Sequence, residues 1–228
     1  MLDFLNTEEK NETVEQLMAS FQKDPTDVCR ALETRFEESR VTEKIEKTFL
    51  SEQSYISDFA KQMIETLTTL DQSLPVRRSI FRDREDSVRM YRAVVPFLSS
   101  LGASIKRFRS AMLAGALLRD RAVQVHLSLT RTEWLCRELL KRMGSDDYRE
   151  RIAKLLEEVL AENEKLESMR TNLQDRIKTW KSFDTDVVLR FLQNVETALD
   201  AEHDGIACDC TKVIALLGEL KRETWKLV

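Results

Sequence analysis

Five glycines and three prolines in 228 residues are too few for any fold built on frequent turns. Average usage would place roughly 16 Gly and 11 Pro in a chain this long, and sandwiches, barrels and doubly wound sheets need turn residues every dozen positions or so. Aromatic residues are also scarce at 7%, while 33% of the chain is charged and 42% hydrophobic, a balance that belongs to long helices with solvated faces. Apolar residues recur at regular spacing throughout, which excludes a disordered or collagenous chain. No run approaches 18 consecutive apolar residues, and residues 1–10 lack a basic stretch followed by an apolar one. Neither a membrane span nor a signal peptide is therefore expected, and the sequence reads as cytoplasmic.

The residues of catalysis are missing as well. Scattered glycines build no phosphate loop, dinucleotide fingerprint or nucleophile elbow. Of the two histidines, His126 lies between Val125 and Leu127 and reads as a partly buried side chain, while His203 with Cys208 and Cys210 departs from structural zinc spacing and lacks a fourth ligand. No catalytic residue, metal or cofactor is expected, and the chain does not read as an enzyme. Cys29, Cys136, Cys208 and Cys210 have no disulfide-framework spacing and read as small buried hydrophobes. Trp134, Trp180 and Trp225 read as core anchors. The net charge of −4 argues against a nucleic-acid partner.

What the sequence does contain is helical periodicity. Asp24-Pro25-Thr26-Asp27 is a helix start, with a capping Asp, a Pro suited to the first helical position and an acid beside the exposed amides. Phe49, Ile56, Met63 and Leu70 then recur every seven residues up to Pro75, with Ile45, Phe59 and Leu67 beside them. The spacing predicts one helix of roughly 47 residues, about 70 Å at 1.5 Å per residue. A second long helix is predicted from Ser79 or Ser87 to Met143, with a kink near Ala93 from Pro96 and a stop at Gly144. The third carries Ile152, Val159, Leu166, Leu173, Trp180 and Val187 at strict sevens, accompanied by Leu156, Ile177 and Phe191, and should reach at least Asp200 before a last apolar portion from Ile206 to Leu217.

Short connections make successive helices antiparallel, so the expected fold is all-α: an elongated antiparallel three-helix coiled coil over 24–228. Its high surface-to-volume ratio makes a dimer the default, with Ile45, Phe49, Ile56, Phe59 and Met63 at the expected interface. Residues 1–23 read as a linker with a short amphipathic helix, Val14, Leu17, Met18 and Phe21 forming its stripe. That helix either packs on the bundle or inserts into a membrane.

Charge is segregated. From Val76 to Arg131 there are twelve Lys and Arg against four Asp and Glu, a net of +8 that leaves −12 for the remainder. A second basic group brackets Gly144. Lys106, Arg107, Arg109, Arg119 and Arg121 on the second helix, with Arg137, Lys141, Arg142 and Arg149 at the tip, are the candidate contacts to an anionic phospholipid surface. Alternatively, the arginines pair with third-helix acids such as Glu157, Glu158, Glu162, Glu164 and Glu167.

This arrangement resembles a BAR domain, more narrowly that of the PX-BAR sorting nexins. Leu2-Asp3-Phe4-Leu5 resembles the exit from a preceding PX domain, and Val14 to Phe21 sits where that family carries an amphipathic helix. Ile177-Lys178, Phe183, Phe191, Val195 and Leu199 resemble the family's lysine-containing turn and paired aromatics before an apolar run. The resemblance implies a homo- or heterodimeric module that senses or remodels curved endosomal membrane as a peripheral cytoplasmic protein. A coiled-coil scaffold or tether that binds protein partners without lipid contact is the alternative.

Overall fold

A computed structural model describes residues 7–73, 84–144, 147–203 and 210–228, and every regular element among them is an α-helix. In chain order these are α1 (Thr7–Lys23), α2 (Pro25–Ser39), α3 (Thr42–Ser73), α4 (Arg84–Arg142), α5 (Asp147–Lys181), α6 (Thr185–His203) and α7 (Cys210–Trp225). The chain divides into two compact units whose boundaries fall inside helices. Unit 1 holds the described residues up to Thr48 with Leu117–Leu173, and unit 2 holds Phe49–Ala116 with the described part of Gln174–Val228.

In unit 1, α2 starts as its sequence dictates. Asp24 is extended (φ −149°, ψ 97°), its Oδ1 accepts from the Thr26 amide at 2.9 Å, and Pro25 takes the first helical position, where its missing N–H costs nothing. The expected 47-residue helix is nevertheless two helices, broken at Arg40 and Val41. The Ser39 hydroxyl donates to the Arg35 carbonyl at 2.8 Å and meets Ser128 Oγ at 2.6 Å, and the Thr42 hydroxyl donates to the Glu162 carboxylate. Side-chain hydroxyls on both sides of the break thus anchor it to α4 and α5, while Arg40 leaves the helix at ψ 65°. The apolar stripe continues across it, Phe36 and Ile45 both being buried, which is why periodicity does not reveal the break.

The amphipathic helix α1 packs on its own unit. Val14 is buried, and the Phe21 ring meets Tyr148 edge-on at 6.0 Å. At the other end of α4, Gly144 is not in the left-handed conformation of a capping glycine. Arg149 Nη1 instead donates to the Leu140 and Met143 carbonyls at 2.6 and 2.9 Å, satisfying acceptors that a helix end leaves open.

In unit 2, Pro96 lies inside α4 without ending it. The third predicted helix does not run through to Asp200: it stops at Lys181 and restarts as α6. Asp184 Oδ1 accepts from the Asp186 and Val187 amides at 2.9 and 3.0 Å, an N-cap that begins α6. Phe183, 1% exposed, plugs the core from the break, its ring 4.9 Å from Phe108 and 6.3 Å from Phe59. Phe59 and Phe108 are themselves 5.0 Å apart. The heptad therefore ends at Trp180. Val187 is only half-buried, and burial resumes one residue later at Val188, Leu192, Val195 and Leu199. In α5, likewise, Leu155 rather than Leu156 is buried, and in α6 Phe191 is half-buried beside buried Leu192. Helix α7 packs on α6. Gly205 and residues 206–209 lie outside the described residues, as do residues 1–6 with the Leu2–Leu5 segment.

Ile45, Phe49, Ile56, Phe59 and Met63, expected to meet a second copy, are each 6% exposed or less within the single chain. They belong to the buried apolar residues of the single chain.

Candidate anion-binding surface

Helix α4 carries the basic residues singled out in the sequence, and most of them are neutralised locally. In unit 1, Arg119 pairs with Asp120 at 2.8 Å, Arg137 with Glu133 at 3.0 Å, and Lys141 and Arg142 with Glu138 at 2.6 and 4.0 Å. Arg149 caps α4, as described. In unit 2, Arg109 pairs with Asp186 at the start of α6 and donates from Nε to Thr185 Oγ1 at 3.2 Å. Such pairs contribute little to stability, but each carboxylate offsets one positive charge in the field that a distant anion would feel, Glu138 serving both Lys141 and Arg142. The expected pairing with α5 acids is not what neutralises them. Glu162 instead accepts from Thr42, Glu167 pairs with Arg170 at 2.7 Å, and no described residue forms an ion pair with Glu157, Glu158 or Glu164.

Six α4 cations stand apart. Arg89, Arg92, Lys106 and Arg107 in unit 2, and Arg121 and Arg131 in unit 1, are exposed and have no carboxylate within 4.0 Å among the described residues. Lys106 and Arg107 are consecutive on α4, about 100° apart around its axis, whereas Arg121 and Arg131 belong to a cleft of about 370 Å³ between the end of α2 and α4. The cleft also receives Arg35 and Glu38 from α2 and Gln124 from α4, with the hydrogen-bonded Ser39 and Ser128 hydroxyls on its wall. Sequence reading did not single out Arg35. Its signal is weak, since it lies in an acidic stretch of α2 and its spacing does not show which α4 residues it faces.

The remaining polar groups behave as structural side chains. Cys29 and Cys136 are both buried and unpaired, and burial raises both thiols, Cys136 to about 12. They are neutral, unreactive core residues, as their sequence context implies. His126 is half-buried, and its Nδ1 has no partner. Among the described residues no three His, Cys, Asp or Glu side chains cluster to hold a metal ion, and no helix is long and apolar enough to cross a membrane. Cys208 and the side chains of His203 and Cys210 lie outside the described residues.

No family model matches the chain, and no curated protein or solved structure matches it either. Fold and site together define an all-helical protein whose longest helix presents unpaired cations on its surface.

Proposed function

We propose that the protein associates peripherally with anionic phospholipid membranes through the unpaired cations of α4, Lys106 and Arg107 foremost. The observation that supports this is the contrast along one helix. Arg109, Arg119, Arg137, Lys141 and Arg142 are held by carboxylates, while Lys106 and Arg107 project without one. A Lys or Arg near an anionic leaflet is worth about 1 kcal/mol, so a few unpaired cations bind reversibly and repeated copies add. In its finer form the proposal is a BAR-like module of the sorting nexin type, an elongated antiparallel three-helix coiled coil that dimerises with itself or a relative and senses curvature on endosomal membranes. In this role it is a binding module and not an enzyme.

A protein-binding scaffold is the second reading, and a specific observation favours it. In unit 2, Leu113 on α4 is 63% exposed, a large apolar side chain that a protein partner would cover. Sedimentation with phosphatidylserine-containing vesicles, against neutral vesicles, separates the two. Salt-sensitive binding that is lost in Lys106→Glu/Arg107→Glu supports the membrane reading. Absence of binding at low salt favours the scaffold.

A further inference from the structure

We infer that the cleft between α2 and α4 in unit 1 binds the phosphate group of a phosphorylated polyol. The inference goes beyond membrane association and does not rest on it, since a soluble ligand of that chemistry would occupy the cleft equally well.

Three guanidinium groups, those of Arg35, Arg121 and Arg131, line one cavity, and none has a carboxylate within 4.0 Å among the described residues. Positions 121, 124, 128 and 131 follow the spacing of a single helix stripe, so α4 presents both of its arginines and Gln124 on the same side. Like charges gathered this way repel one another, and an anion bound among them relieves that repulsion. Arginine's planar fork of donors matches phosphate oxygens in pairs, which a lysine cluster does not do.

The wall restricts what else can bind. The Ser39 hydroxyl already donates to the Arg35 carbonyl and Thr132 Oγ1 to the Ser128 carbonyl. With Ser39 so committed, the 2.6 Å contact makes Ser128 the donor to Ser39 Oγ. These hydroxyls have no proton left for a ligand, so the arginines and the Gln124 amide supply the donors. Arg121 Nη1 donates to Gln124 Oε1 at 3.3 Å, which leaves the Gln124 NH₂ group for the ligand.

Glu38 is the one carboxylate in the cleft, and no described residue pairs with it. A bare inorganic anion gains nothing from it, whereas the hydroxyls of a polyol donate to it while the phosphate meets the arginines. At about 370 Å³ the cleft is larger than a phosphate ion and lies within the range of small-ligand sites.

The test is calorimetric titration of the full chain with inorganic phosphate, inositol 1-phosphate and unphosphorylated inositol. Saturable 1:1 binding is expected for the two phosphates, tighter for inositol 1-phosphate, with none for inositol. Arg35→Gln and Arg131→Gln should each weaken it at least tenfold, Glu38→Gln should abolish the preference for inositol 1-phosphate over phosphate, and Lys106→Gln should change nothing. Thermal melts establish that each variant is folded. Absence of saturable binding, unchanged binding in Arg35→Gln and Arg131→Gln, or an equal loss in Lys106→Gln would overturn the inference.

Vesicles identify the source of the phosphate. If Arg131→Gln reduces binding to vesicles carrying phosphatidylinositol 4-phosphate but not to phosphatidylserine vesicles of equal charge, the ligand is a lipid headgroup. If it affects only the soluble compounds, the ligand is a free polyol phosphate. Either result upholds the site, and because the phosphatidylserine arm reports on Lys106 and Arg107, a failed cleft and a failed membrane reading are distinguishable.

Discussion

Trp180 lies so close over Gly115 that a β-carbon added at residue 115 would come within 2.5 Å of the Trp180 ring. Glycine is what allows α4 and the end of α5 to approach in unit 2, with the indole enclosed further by Phe49, whose ring centroid is 6.0 Å away. The same approach places the following residues, Ser182 to Asp184, where Phe183 reaches the Phe59 and Phe108 rings.

Gly115→Ala should therefore destabilise the protein even though alanine is the better helix former by about 1 kcal/mol. The buried indole has little room to yield, and overpacking of this kind costs about 1–3 kcal/mol. Denaturant unfolding should show a net loss for Gly115→Ala, and combining it with Trp180→Leu should cost less than the two single changes added together. Additive losses would mean that the two residues do not interact.

Phe183→Ala should be the most damaging single change in unit 2. It removes the ring packed edge-on against Phe108 and Phe59, and truncation of a buried Phe costs about 3–5 kcal/mol. Phe191→Ala, at a half-buried site on α6, should cost markedly less, as read by the urea midpoint.

Asp184 provides a pH-dependent contribution. The Val187 and Asp186 amides hold its carboxylate below the ordinary value of 3.8, so the folded state favours the charged form. The stability it adds is complete above that ordinary value and is lost as pH falls through the lower folded-state value. Thermal melts should show Asp184→Ala less stable than the parent from neutral pH down to about pH 5, with the gap closing below pH 4. A gap that persists at pH 2 would contradict the capping role.

The buried thiols should be silent. In a Cys208→Ser/Cys210→Ser background, Cys29 and Cys136 should not react with a disulfide reagent at pH 8, because Cys136 titrates at about 12 and both side chains are shielded from solvent. Reaction should appear with the unfolding transition. Rapid labelling of the folded protein would contradict their burial.

Composition and heptads are enough to read an all-α chain and most of the core, because burial at Ile152, Val159, Leu166, Leu173 and Trp180 follows directly from their spacing. The breaks at Arg40 and Phe183 are not legible in the same way. One depends on hydroxyls that find partners 89 and 120 residues away, at Ser128 and Glu162, and the other on a ring that packs edge-on against Phe108 and Phe59. The basic character of α4 was visible as a net charge, but not which cations are free. Arg109 meets Asp186 in the first turn of α6, and Arg35 on α2 shares a cleft with Arg121 and Arg131, relationships between helices that no spacing along one helix shows.

On the proposed function, the unpaired cations of α4, rather than its total charge, bind an anionic surface. Sedimentation with phosphatidylserine vesicles of the parent, Lys106→Glu/Arg107→Glu and Arg137→Glu/Lys141→Glu tests it most directly, since both pairs of substitutions change net charge by the same amount. The account predicts salt-sensitive binding that is lost in the first pair and largely retained in the second, whose cations are already engaged by Glu133 and Glu138. Equal losses in both, or binding unaffected by reversing Lys106 and Arg107, would contradict it.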